Sequence, residues 1–203
     1  MGGEKRMGAK SDKIILYTSQ SPIVIKTLLK QKVCYVKREY IVKKYQEVSS
    51  IFLEAYNWYI YKAQNIVKKP EYAEYPFWTF TKADYAEWYP GNYMLTLEVP
   101  IEEVIFFKVQ DWNKILNLKY LAAGEEDEKK HKAMLVKQNI SIESDIFTKP
   151  FYPNLKSEIK KSWGNLFKYD KLIKSGAIQE KNLQVGLWEL RKEWIISIKE
   201  NTF

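Results

Sequence analysis

An α+β fold in one domain, with small mixed or antiparallel sheets and several packed helices, follows from three features of the sequence. Short apolar runs with strand spacing stand near both ends, segments with helical spacing lie between them, and no repeat or low-complexity tract interrupts the order. The 203 residues suffice for one domain with a buried core.

The elements follow in order. Residues 14–17, Ile-Ile-Leu-Tyr, read as a buried strand, and Ser21-Pro22 supplies an N-cap with proline at the first helical position. The helix through Lys32 is expected to turn Val24, Ile25, Leu28 and Leu29 to one face. Residues 33–36 form the next strand candidate. Near Tyr45 a long helix begins, with Val48, Ile51, Phe52, Ala55, Tyr59, Ala63 and Ile66 at helical spacing, and Pro70 ends it.

Residues 71–91, EYAEYPFWTFTKADYAEWYPG, lose the regular pattern; their dense aromatics and two prolines predict a structured loop or a short strand. The strand at 93–99 alternates cleanly, with Tyr93, Leu95, Leu97 and Val99 on one face and Met94, Thr96 and Glu98 on the other. Residues 104–107 repeat strand character, and Asp111 is expected to cap a helix carrying Trp112, Ile115, Leu116 and Leu118. A charged helical segment occupies about 121–147. A helix around 155–167 presents Ile159, Trp163, Leu166 and Phe167 inward, and strands at 183–190 and 194–198 finish the chain. Residues 1–12 carry no hydrophobic periodicity and read as a tag or flexible arm, which leaves 13–203 as the domain.

Composition narrows the chemistry. Cys34 is the sole cysteine and lies in an apolar run, so it reads as a buried, inert thiol in a reducing compartment. His131 is the sole histidine, in a charged stretch that reads as a solvated helix start. A Ser-His-Asp triad, a Cys-His pair and a multi-histidine metal site therefore lack parts, and the carboxylates show no metal-ligand spacing. No apolar run approaches the roughly 20 residues of a membrane helix, so a cytoplasmic protein with no membrane partner is expected. The formal charge of +8 is carried mostly by dispersed lysines, which suits a soluble surface and leaves nucleic acid open as a partner. The 15% aromatic share suits a wide pocket or a binding surface.

Several segments in order, LYTSQ, FLEAYNWYI, YPFWTF, MLTLEVPIEEVIFF with DWNKILN, and LQVGLWELRKEWI, resemble a bacterial and phage family known only as a domain of unknown function. The opening Tyr-Thr-x-Gln strand, the Tyr-Pro-x-Trp segment and the closing Gln-x-x-x-Trp-Glu strand are also similar in layout to small ADP-ribosyltransferase-like proteins. That resemblance implies NAD in a cleft between two small sheets, its nicotinamide on aromatic rings, and a nucleic-acid or protein target. Carried over by position, Tyr17, Thr18 and Gln20 supply the first-strand anchor. Tyr75, Phe77, Trp78 and Thr79 supply the aromatic wall, and Gln184 or Glu189 the late group that steadies charge developing on the ribose.

Gln184 and Glu189 differ in parity, so one regular strand would point them to opposite faces. Gln184 shares a face with Gly186 and Trp188, whereas Glu189 alone carries charge. The first strand has no histidine or arginine where the transferase pattern has one, which leaves a second reading: a non-catalytic module that binds nucleic acid or protein through the aromatic loop and lysine faces. A convergence of Thr18, Trp78 and Gln184 or Glu189 on one pocket would favour the enzyme.

Overall fold

A computed structural model describes residues 12–40, 49–178 and 182–202. Its centre is a six-stranded antiparallel sheet in the order β5-β6-β3-β1-β4-β8. The strands are β1 (Lys13–Gln20), β3 (Phe77–Phe80), β4 (Tyr93–Pro100), β5 (Ile105–Lys108), β6 (Leu183–Leu187) and β8 (Ile195–Glu200). A second, two-stranded sheet pairs β2 (Val33–Cys34) with β7 (Leu190–Arg191). The chain is thus an α+β single domain.

Helices cover both faces of the large sheet. On one side α1 (Pro22–Gln31) sets Ile25 and Leu28 into a core with Leu16, Phe77, Leu95, Leu97, Val99, Phe106 and Val185. On the other, α2 (Ser49–Ala63) and α3 (Val109–Leu116) enclose a largely aromatic core with α6 (Pro153–Ser162) and the 3-10 turn Trp163–Phe167. The helices α4 (Glu125–Lys137) and α5 (Asp145–Thr148) lie between α3 and α6 in sequence, and α7 (Lys168–Lys174) packs on β5.

The tightest fit is at Gly186 in β6. A Cβ there would lie 2.1 Å from the Tyr59 hydroxyl and 3.2 Å from its ring, so only glycine lets α2 approach this strand. The Tyr59 ring is wholly buried among Trp78, Phe107, Trp112, Phe167 and Trp188, and its hydroxyl has no hydrogen-bond partner among the described residues. Burial, and then the charge of Asp170, holds that phenol well above its ordinary pKa, so it stays neutral.

Several expectations need correction. Leu29 is exposed, because α1 rests on the sheet through Ile25 and Leu28, with Val24 packed beside them, and Leu29 falls outside that face. The long helix ends at Ala63, not at Pro70: the side-chain amides of Gln64 and Asn65 donate to the carbonyl of Tyr61 and turn the chain out, leaving Ile66 exposed. Its expected start near Tyr45, with Val48, lies outside the described residues. Asp111 is no cap; α3 follows β5 directly with Lys108 at the N-cap, so Asp111 sits in the first turn. Ser21 caps α1 by position only, since its side chain makes no capping bond.

His131 is not solvated. Its ring stacks on Tyr120 with centroids 4.0 Å apart, and Nε2 lies 2.8 Å from Glu143 Oε1. Glu143 also accepts the Tyr120 backbone N–H at 2.6 Å, while Asp127 accepts the Tyr120 hydroxyl and the Ala123 N–H. These contacts clasp α4 to the segments on either side of it.

Two predictions follow from this packing. Gly186→Ala should cost about 1–3 kcal/mol in urea denaturation through overpacking, Tyr59→Phe alone should be neutral or stabilising, and the double variant should lose less than Gly186→Ala. The Ala123 N–H, ahead of the Tyr120 hydroxyl, holds the Asp127 carboxyl below its ordinary pKa. Its contribution is present above the usual carboxylate range and lost as pH falls through the lowered value. The melting-temperature gap between wild type and Asp127→Ala should therefore be widest near about pH 7 and shrink on acidification.

Candidate functional site

The registers of the large sheet align one residue from each strand. Phe107 pairs with Gln184, Gln184 with Phe80, Phe80 with Tyr17, Tyr17 with Thr96 and Thr96 with Ser197. Directly paired residues share a face, so these six side chains form one row across the sheet. The Ser197 hydroxyl donates to Thr96 Oγ1 at 3.1 Å, as that arrangement requires.

This face is roofed unevenly. Over β5, β6 and β3 the aromatic core closes down: Trp112 of α3 lies 5.1 Å from Trp78 and 6.1 Å from Phe107, and the Trp78 indole donates to the Tyr56 hydroxyl at 2.8 Å. Over β1, β4 and β8 stands the loop containing the 3-10 turn Ala83–Tyr85. Beneath it a cleft of about 420 Å³ is lined by Tyr17, Met94, Thr96 and Lys199 from the sheet and by Asp84, Glu87 and Trp88 from the loop. Gln184 and Phe80 lie in the row between this cleft and the helices. Gln184 is 5% exposed.

The residues singled out from the sequence divide by parity. Tyr17, Trp78 and Gln184 stand on this face, and Tyr75 joins its aromatic core, 5.6 Å from Tyr56. Thr18, Gln20, Phe77 and Thr79 belong to the opposite face. Thr18 Oγ1 donates to the Trp78 carbonyl at 2.9 Å and accepts from Gln20 Nε2 at 2.8 Å, while Thr79 Oγ1 donates to the Val185 carbonyl at 3.1 Å. Their polar groups are spent inside the sheet. Thr18 and Gln184 do not meet in one pocket.

Glu189 lies outside the large sheet altogether. The strand stops at Leu187 because Trp188 turns into the aromatic core, its indole donating to the Val67 carbonyl at 2.9 Å. The buried Glu189 carboxylate accepts from Arg191 Nε at 2.5 Å and from the Tyr35 hydroxyl. The bond to Glu189 raises the Arg191 pKa, and burial, followed by the phenol's own hydrogen bond to Glu189, raises that of Tyr35. Glu189 borders a larger cleft of about 610 Å³ with Lys68, Lys69, Glu102, Glu103 and Arg191. Glu189 and Arg191 neutralise each other in its wall, and Lys69 donates to the carbonyls of Pro70 and Ala73.

Sequence reasoning missed Met94, Thr96, Trp88 and Lys199 as lining residues, and Phe80 as a member of the row. Strand alternation does carry Phe80 and Thr96 as opposite-parity partners of their neighbours, but the pairing that brings them beside Tyr17 spans the chain. Asp111, in the first turn of α3, has its carboxyl pushed up by burial, against the pull of Lys114 and Lys108. Cys34 is buried and burial raises its thiol.

Among the described residues no group of three or more His, Cys, Asp or Glu side chains is arranged to hold a metal, and no helix is long and apolar enough to cross a membrane. Residues 15–196 match the family described as Domain of unknown function (DUF3841). The chain belongs to that family. No curated protein and no solved structure matches it.

For this family member, the state of Cys34 is directly measurable. A thiol-specific disulfide reagent at about pH 8 should label the native chain slowly and titrate one thiol at once in denaturant, because burial keeps the neutral form and blocks access.

Proposed function

We propose that the protein binds NAD on the face carrying Tyr17, Phe80 and Gln184, in the manner of a small ADP-ribosyltransferase-like enzyme acting on a nucleic acid or protein. The observation that carries this reading is the row itself. Residues 17, 80 and 184, from the opening strand, the aromatic segment and the late strand, are register partners on adjacent strands beside a cleft.

On this reading the Tyr17 and Phe80 rings offer faces for nicotinamide, and the Gln184 amide bonds the ribose hydroxyls. Transfer breaks the bond between the ribose and the nicotinamide nitrogen, with the electron pair leaving on nicotinamide. The acceptor then bonds the ribose carbon and releases its proton to water.

A second reading, binding without turnover, is favoured by the composition of the row. None of its six residues is a carboxylate, and Glu189 is held away by Arg191.

Labelled NAD incubated with the purified protein, alone and with cell extract or nucleic acid, separates the two. Nicotinamide release or transferred label is expected of the enzyme, together with a thermal shift on adding NAD. Tyr17→Ala and Gln184→Ala should each weaken NAD binding about three- to tenfold, the worth of a lost neutral contact, while Glu189→Gln leaves binding unchanged. A shift without release supports binding of NAD without turnover. Neither shift nor release, beside a working control transferase, overturns both forms of the proposal.

A further inference from the structure

The loop over the cleft carries three rings in water: Tyr85 is 40% exposed, Trp88 40% and Tyr89 56%. These rings stand on a braced support. Trp88 Nε1 donates to the Asn92 carbonyl at 3.1 Å, Asn201 Nδ2 donates to the Trp88 carbonyl at 2.8 Å, and the backbone of Gly91 bonds to the Asn201 carbonyl at 3.0 Å. The loop is thereby tied to the end of β8. Exposed aromatics held this way are organised in advance for a flat partner, which spares the entropy of ordering them on binding.

We propose that Trp88, with Tyr85 and Tyr89, is a stacking platform for the bases of a single-stranded nucleic acid, whose phosphates are drawn by Lys82 and Lys199 and by the overall charge of +8. The lining favours bases over an apolar peptide. The cleft beneath is bordered by Asp84, Glu87, Thr96 and Lys199 and offers no deep greasy socket for a side-chain anchor, whereas every base has a face that stacks on an indole. Glu87 accepts from the Tyr89 hydroxyl at 2.5 Å, which fixes that ring. Because Trp88 and Tyr17 line the same cleft, a base on Trp88 lies beside the proposed reaction face. The inference names the acceptor class for the NAD reading and rests on it in that respect, but its test uses no NAD, so the two fail separately.

Fluorescence anisotropy with dye-labelled single-stranded DNA and RNA oligonucleotides of about twelve residues, against a duplex of the same sequence, tests it. The expected result is binding to at least one single strand in preference to the duplex, weakening as salt rises. Trp88→Ala should lower affinity about tenfold, Trp88→Phe should retain most of it, and Tyr89→Ala, which leaves the indole bond to Asn92 intact, should weaken it in the same direction. Circular dichroism melts check that each variant is folded; where Trp88→Ala is not, Trp88→Phe and Tyr89→Ala decide. The preferred strand type separates DNA from RNA as the source. No binding to either strand, duplex binding as tight as single-strand binding, or affinity unchanged in folded Trp88→Ala or Tyr89→Ala would overturn the proposal.

Discussion

The contact on which the rest of the structure depends is the close approach of Tyr59 to Gly186. It sets α2 directly on the backbone of β6, where any larger residue would hold the helix off. From that point the rings of Trp78, Phe107, Trp112 and Trp188 close around the Tyr59 ring, and aromatic pairs at these separations add stability beyond their buried area. The cost is a buried hydroxyl with no partner among the described residues. Because the helices are drawn down over β5, β6 and β3, they do not reach across β1, β4 and β8, and that half of the sheet is left to the loop and its cleft. The asymmetry that makes a site on this face is thus a consequence of where one glycine sits.

Strand parity decides the rest. The segment Tyr17-Thr18-Ser19-Gln20 looks in sequence like one polar cluster, yet β1 runs on through Gln20 and sends alternate side chains to opposite faces. Tyr17 goes to the cleft. Thr18 goes to the α1 side, where it is 1% exposed and where its hydroxyl must be paired; the Trp78 carbonyl and the Gln20 amide do that. The same rule divides Trp78 from Phe77 and Thr79. Polar residues adjacent in sequence therefore serve two purposes, one holding the strands together and one facing the open side.

What was legible in the sequence was local. The strands at 14–17 and 93–99 and the helix opened by Ser21-Pro22 follow from spacing and capping signals within a few residues. The order β5-β6-β3-β1-β4-β8 has no such local signature, since it joins residue 17 to 80 and 80 to 184. His131 shows the same limit. A histidine among lysines and glutamates has the pattern of a solvated helix, and only the arrival of Tyr120 and Glu143 from outside that helix buries it. The strand expected at 183–190 stops at Leu187, because its spacing hides the point at which Trp188 leaves for its bond to Val67 and carries Glu189 off the sheet.

The neutrality of the row has a physical cause that bears on its chemistry. An ionised carboxylate placed beside Gln184, under the aromatic roof, would lose its hydration and need a cation or several N–H donors to offset that loss. The described carboxylates that are buried obey this: Asp170 has the Phe106 N–H and Lys174, and Glu189 has Arg191 and Tyr35. Asp111, half-buried at the start of α3, shows the opposite case, its carboxyl pushed toward the neutral form by burial despite two lysines nearby. A group driven toward neutrality loses the charge that would steady an oxocarbenium-like ribose. On the proposed NAD reading, stabilisation on this face would come from the Gln184 carbonyl dipole and the ring faces of Tyr17 and Phe80, which act without a desolvated charge. A neutral surface of this kind suits a flat, weakly polar ring, and under the proposed reading the phosphates of NAD would lie out toward Lys199, which lines the cleft.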